Sequence, residues 1–149
     1  MINEIDAKIL NILQKNSRTT NAEIARQVKM APSAVLERIR RLEQRKIIKK
    51  YTAQIDPKEV DRGLLAFIQV TAKGQIVDQK TAKEISKIPE VLEVHIVAGE
   101  DSFLVKVRAA NTDALTQLLR TKFSTIGSIR TTNTTIVLET IKETVEICF

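Results

Sequence analysis

Thr20-Asn21-Ala22-Glu23-Ile24-Ala25-Arg26-Gln27-Val28-Lys29-Met30-Ala31-Pro32-Ser33-Ala34-Val35-Leu36-Glu37-Arg38-Ile39-Arg40-Arg41-Leu42-Glu43 is the stretch that decides the fold. It holds two short amphipathic helices around a tight break. Thr20 and Glu23 have the spacing of a capping box, in which the Thr hydroxyl accepts from the Glu23 backbone N–H and the Glu23 side chain reaches back. Ile24, Ala25 and Val28 then share one side. The break falls at Lys29-Met30-Ala31, and Pro32 occupies the first turn of the next helix, where its missing N–H is tolerated. Val35, Ile39 and Leu42 follow at i, i+4 and i+7, a single buried edge. Two helices joined in this way predict a helix-turn-helix, whose second helix enters the DNA major groove.

Charge supports this reading. The chain carries a net charge of +6, and all of the excess lies early. Residues 1–60 hold 13 Lys/Arg against 7 Asp/Glu, whereas residues 61–149 hold 11 of each. Arg38, Arg40, Arg41, Arg45, Lys46, Lys49 and Lys50 form one run opposed only by Glu43. Such a cluster on a helix that follows a capped partner helix points to phosphate binding through counterion release. Alone, it would equally describe a solvated face.

Working outward, a first helix over about Asn3 to Gln14 buries Ile5, Ile9, Ile12 and Leu13, and Asn16 to Thr19 is a polar connection. Downstream, Ile47 to Ile55 reads as extended, with Tyr51, Ala53 and Ile55 on one face. It supplies either the wing of a winged helix or a tether strand, and Asp56-Pro57 ends it. The remainder alternates by type. Leu64 to Ala72 is a strand; Val77, Thr81, Ile85 and Ile88 mark a helix closed by Pro89; Val91 to Ala98 is a strand; Gly99-Glu100-Asp101 is a turn. Phe103 to Ala109 alternates as a half-buried strand. A helix from Thr112 turns Leu115, Leu118, Leu119, Phe123 and Ile126 inward, with Gly127 suited to its C-terminal cap, and Thr132 to Ile141 is a last strand. The order is βαββαβ, the ferredoxin-like plan. The expected fold is therefore α+β: an N-terminal winged helix-turn-helix over residues 1–50, a linker strand over 51–61, and a ferredoxin-like domain over 62–149. One sheet face carries the two helices. Leu104 and Val137 on the other favour contact with a second subunit.

Aromatic residues make up only 3% of the chain against 43% apolar, so the cores must be aliphatic. A single cysteine, Cys148, excludes an internal disulfide framework and fits a reducing cytoplasm. Met1 to Asp6 lacks a basic-then-apolar pattern, so no signal peptide is expected. No run approaches 18 apolar residues, so no membrane span is expected. Catalytic groups are sparse. His95 lies mid-strand between Val94 and Ile96, as an interface or sheet-face residue. Cys148 has no neighbouring His or Lys to lower its pKa. No His/Cys/Asp/Glu cluster has metal-ligand spacing, and four glycines leave no phosphate-cradling loop. Neither an enzyme nor a cofactor is expected.

With both halves in place, the chain resembles the Lrp/AsnC family of regulators over nearly its whole length. The likeness rests on Ile5-Asp6-x-x-Ile9-Leu10, Asn16-Ser17-Arg18, Glu23-Ile24-Ala25 and Pro32-Ser33-Ala34-Val35-x-x-Arg38-Ile39-Arg40-Arg41-Leu42-Glu43. In the second half it rests on Val97-Ala98-Gly99-Glu100-Asp101-Ser102-Phe103-Leu104-Val105-Lys106-Val107 and Thr134-Thr135-Ile136-Val137-Leu138. The resemblance implies sequence-specific binding of double-stranded DNA, homodimers paired sheet to sheet and often assembled into octamers, and a small effector, commonly an amino acid, held between C-terminal domains. By matched position the effector turn is Gly99, Glu100, Asp101 and Ser102, facing Thr131 to Thr135. Three positions depart from the common pattern: Ala31 replaces Ser, Lys46 replaces Gly, and Ser102 follows a carboxylate at Asp101 where Gly-x-x-Asp is usual.

On the second helix of the pair, Ala34, Glu37, Arg38 and Arg41 form one exposed stripe and Ser33, Glu37 and Arg40 another. Residues near the helix start, Pro32, Ser33 and Ala34, approach the bases first. Ser33, Arg38 and Arg41 are the expected main contacts, since Arg pairs with guanine through two hydrogen bonds. Glu37 either accepts from cytosine or pairs with Arg41, the latter favoured. Arg18, Lys49 and Lys50 are expected on phosphates, which position without specifying. For an amino-acid effector, Glu100 and Asp101 would take the ammonium, and Gly99 N–H with Thr132 or Thr134 hydroxyls the carboxylate. The same turn also fits an ordinary hairpin. Two further readings stand beside the regulator: an architectural DNA-wrapping protein of the same fold with little effector response, and a small ferredoxin-like enzyme, against which the missing catalytic groups argue.

Overall fold

A computed structural model describes residues 2–73, 79–98 and 102–149. It contains two compact units, one of Met1–Gln54 with Lys142–Phe149 and one of Ile55–Ile141.

The first unit is built on α1 (Glu4–Lys15), α2 (Asn21–Val28) and α3 (Pro32–Gln44). Asn3 caps α1, its side chain accepting from the Asp6 amide at 2.8 Å. Thr20 caps α2 by accepting from the Glu23 amide at 3.2 Å. The expected return bond of the capping box does not form. The Glu23 carboxylate instead takes Arg26 and Gln27, its neighbours one turn on. Lys29 ends α2 in the left-handed conformation, φ 56°. Ala31 then stands at the start of α3 with extended backbone and no side-chain bond to offer. The aliphatic core joins Ile9, Leu13, Ile24, Ala25, Val35 and Ile39, with Ile5, Ile12, Val28, Met30 and Ile48 against it.

Past α3, Lys46 adopts φ 57°, the left-handed region that favours glycine; a side chain there costs about 1 kcal/mol. The wing is not found. Among the described residues no strand lies between α3 and residue 64, and 49–56 run without regular structure. A wing needs a partner strand, which this segment lacks, so it serves as the tether, the other role expected of it.

In the second unit, β1 (Leu64–Ala72), β2 (Val91–Val97), β3 (Ser102–Ala109) and β4 (Ile129–Ile136) form an antiparallel sheet in the order β2-β3-β1-β4, the ferredoxin-like arrangement. Ala66, Ile68 and Val70 pair with Val107, Val105 and Phe103. These six are buried with Ile85 and Ile88 from the region of α4 (Gln79–Ser86), and with Leu115, Leu118 and Phe123 from α5 (Thr112–Leu118) and the π-helical turn Leu119–Phe123 that extends it. Asn111 caps α5 through the Ala114 amide at 2.9 Å. Gly127, expected as the helix cap, does not take a left-handed φ; the helix stops earlier, at Ser124. Lys122 donates to both oxygens of Glu90 at 2.7 and 2.8 Å, and this hydrogen bond holds the Glu90 carboxyl below its usual 4.5. Strand β4 ends at Ile136, five residues short of expectation. Val137 makes one more ladder bond, to Leu65 O at 2.9 Å, before the chain bends away. Residues 142–149, expected in this domain, belong to the first unit. The predicted helix position Val77 and the turn Gly99-Glu100-Asp101 lie outside the described residues.

The unprotected start of α3 yields a prediction. Ala31→Ser supplies an N-cap acceptor worth about 1 kcal/mol, which raises the melting temperature of the first unit by roughly 4–8 °C. A calorimetric scan showing no rise, or a fall, would contradict this account of the helix start.

Candidate functional site

Helix α3 has two opposite sides. Val35, Ile39 and Leu42 are buried. At 100° per residue the opposite side carries Ser33, Glu37, Arg40 and Gln44, with Arg41 beside them, and all five are exposed. Glu37 and Arg41 form an ion pair one turn apart, and the Arg41 hydrogen bond holds the Glu37 carboxyl below its usual 4.5. Gln44 was missed in the sequence reading. Its signal was the i+11 continuation of the series Ser33, Glu37, Arg40. An Asn or Gln amide on a recognition helix is a natural partner for adenine.

Arg38 differs from expectation. It does not join the outward stripe: its guanidinium donates to Asp6 of α1 at 2.8 Å, and the two side chains are only 26% and 13% exposed. On the helical wheel Arg38 lies 60° from Val35, at the border of the buried edge, which brings it against α1. The pair therefore braces α1 to α3.

Arg18 is exposed on the loop after α1, where Asn16 accepts its amide at 3.0 Å. Lys49 and Lys50 are exposed at the start of the tether. Next to them, Tyr51 donates its hydroxyl to Glu43 of α3 at 2.9 Å. The first unit thus gathers Arg18, Arg40, Arg41, Lys49 and Lys50 as exposed cations, with the positive end of α3 at Pro32, Ser33 and Ala34.

The candidate effector residues lie elsewhere, along the sheet. Ser102 pairs with Thr71 on β1, and Thr71 pairs with Thr131 on β4. Thr132 and Thr134 pair with Val70 and Ile68, so they share the helix-facing side. Of the β4 threonines, Thr131 is therefore the one in line with Ser102. Gly99, Glu100 and Asp101 are outside the described residues. On the face away from the helices, Leu104, Lys106 and Val137 are half-buried, Leu65 is 6% exposed, and Glu93 lies 3.1 Å from His95 and 3.3 Å from Lys106. These two neighbours, His95 foremost, hold the Glu93 carboxyl below 4.5. No metal-holding group of His, Cys, Asp or Glu occurs among the described residues, and no helix there is long and apolar enough to cross a membrane.

A helix-turn-helix followed by a ferredoxin-like sheet defines a two-unit DNA-binding transcription regulator. Comparison with known proteins gives the class its family. The AsnC-type helix-turn-helix domain matches residues 2–43 and the Lrp/AsnC ligand binding domain matches residues 65–147. The chain belongs to the Lrp/AsnC family of transcription regulators. It is 33% identical over 144 residues to the leucine-responsive regulatory protein of Escherichia coli strain K12, covering 95% of this chain and 88% of that protein. Its structure is similar to that of a transcriptional regulator from Neisseria meningitidis in complex with L-methionine, with a TM-score of 0.92, 30% identity and coverage of 99% and 97%. A feast or famine regulatory protein of M. tuberculosis, complexed with L-methionine, gives 0.90, 32% and 99% of both chains.

The anchored tether has a testable signature. Desolvation, then the hydrogen bond to Glu43, pushes the Tyr51 hydroxyl up from 10 to about 12. A raised folded-state pKa stabilises below the unfolded value and loses that contribution as pH rises through the folded one. Tyr51 is the sole tyrosine and there is no tryptophan, so absorbance at 295 nm should report one ionisation near pH 12, lowered in Glu43→Gln. An ionisation at 10 in both would show the tether free.

Proposed function

We propose that this regulator reads its DNA sites through α3 in the major groove. Ser33, Arg40 and Arg41 meet base edges, Gln44 extends the same stripe, and Glu37 orients Arg41. Pro32 and Ala34 bring the helix start close to the backbone. Arg18, Lys49 and Lys50 neutralise phosphates. The observation that carries this reading is the exposed basic stripe directly opposite the buried edge of α3. Arg38, engaged by Asp6, is left out of the reading set.

The second unit senses a small molecule, an amino acid in the first instance, at the end of the sheet where Ser102, Thr71 and Thr131 pair. Relatives solved with L-methionine support this class of effector. Two copies pair through the sheet face bearing the half-buried Leu104 and Val137, apolar side chains on a face otherwise left to water, and the dimers assemble further, up to octamers. Regulation is non-enzymatic and takes place in the cytoplasm.

The experiment is a set of gel shifts on selected sites and random duplex across a salt series. Arg41→Ala should weaken specific binding by about 1–3 kcal/mol and relax one base position. Lys50→Ala should weaken binding to every sequence and reduce the salt slope by about one. Arg38→Ala should lower thermal stability and leave the salt slope of the folded protein unchanged. Unchanged affinity and footprint in Arg41→Ala would contradict the assignment. A specificity ratio near one in the wild type would favour an architectural DNA-wrapping role.

A further inference from the structure

The last residues of the chain are held by an unusual contact. Gln14 of α1 donates its side-chain amide to the Ile147 carbonyl at 3.0 Å and accepts from the Ile147 N–H at 2.7 Å. One side chain thereby imitates both halves of a β-bridge and grips the backbone of residue 147. Residues 142–149 are exposed throughout, with Val145 89% and Ile147 69% accessible. Burial does not hold residue 147; the Gln14 amide fastens it by both of its backbone groups.

The register of the sheet shows what the tail is attached to. Strands β1 and β4 run antiparallel, with Ala66 opposite Ile136 and Thr71 opposite Thr131. The tether enters the sheet at the start of β1, and the tail leaves from the end of β4. These points are side by side, since Val137 bonds to Leu65. At the other end of the same strand pair, Thr71 lies between Ser102 and Thr131. Strand β4 thus runs from the candidate ligand end to the exit point in six residues, and residues 137–141 are all that separate it from the tail. Both covalent links are fastened on the first unit, the tether by Tyr51 to Glu43 and the tail by Ile147 to Gln14.

We infer that residues 137–149 form a second strap, pinned by Gln14, through which ligand occupancy at the far end of β4 is transmitted to the DNA-binding unit. This rests on the amino-acid effector reading above. A ligand shifts DNA affinity only if it interacts differently with two arrangements. Displacement of β4 along its length changes the tension on the Gln14–Ile147 pair and so on α1, which carries α3 through the Asp6–Arg38 bridge.

Calorimetry with L-methionine and L-leucine reads ligand binding. DNA titrations with and without each amino acid read the coupling ratio. Gln14→Ala removes both bonds, and Ile147→Pro removes the N–H from the tail side without touching the helices; circular dichroism confirms that each is folded. Both should bind the amino acid with unchanged Kd while the coupling ratio falls to near one. Ile147→Ala, which keeps the backbone bonds, should retain the wild-type ratio. Full coupling in Gln14→Ala and Ile147→Pro would overturn the strap while leaving the effector reading intact. Absence of heat and of any DNA response in the wild type with either amino acid would overturn the effector reading and the strap with it.

Discussion

Everything in the first unit depends on burying one edge of α3. Val35 is wholly inaccessible, and Ile39 and Leu42 retain only 7% and 2% exposure. Fully burying a side chain of this kind contributes about 1.5–3 kcal/mol, so turning the helix by one residue would forfeit most of what holds it in place. That constraint fixes the opposite stripe as well. Ser33, Glu37, Arg40 and Gln44 face outward because Val35, Ile39 and Leu42 cannot. The outward stripe is thus a geometric consequence of an aliphatic core, and its precision is that of the core.

Charge is distributed to match. Cations that stay exposed, Arg40 and Arg41 on α3 and Lys49 and Lys50 beyond it, are available to phosphates and bases. The arginine at the border of the buried edge, Arg38, is neutralised by Asp6 and becomes part of the scaffold. A desolvated guanidinium without a partner is costly, so the acid on α1 is the condition for an arginine at that position. Tyr51 and Gln14 fasten the two chain segments that lead to the sheet unit.

Much of this was legible in the sequence because the signals were local. Thr20 caps Glu23 three residues on, Pro32 opens α3, and the i, i+4, i+7 series of Val35, Ile39 and Leu42 repeats the helical period. Alternation in Phe103, Val105 and Val107 gave the face of β3, and the order of elements was enough for the β2-β3-β1-β4 sheet. The misreadings involve partners far apart in the chain. Asp6 and Arg38 are 32 residues apart, and Gln14 and Ile147 are 133 apart; no periodicity links them. The tether has alternating Tyr51, Ala53 and Ile55, the pattern of a strand, yet no adjacent strand pairs with it to make a wing. The candidate effector threonines, Thr132 and Thr134, came from the facing segment Thr131 to Thr135 that the resemblance implies. Register, which only the fold supplies, places Thr131 of that segment in line with Ser102.

The outward stripe of α3 can be tested most directly by guanine methylation protection on duplexes selected from a random pool by the full chain. Dimethyl sulfate modifies guanine N7, which lies in the major groove. Protected guanines are expected in major-groove segments about one helical turn apart, as the proposed dimer with two such helices requires, and that protection should be lost when the stripe is neutralised at Arg40 and Arg41. Tight binding with every guanine N7 left reactive would contradict it, because α3 would then not lie in the groove.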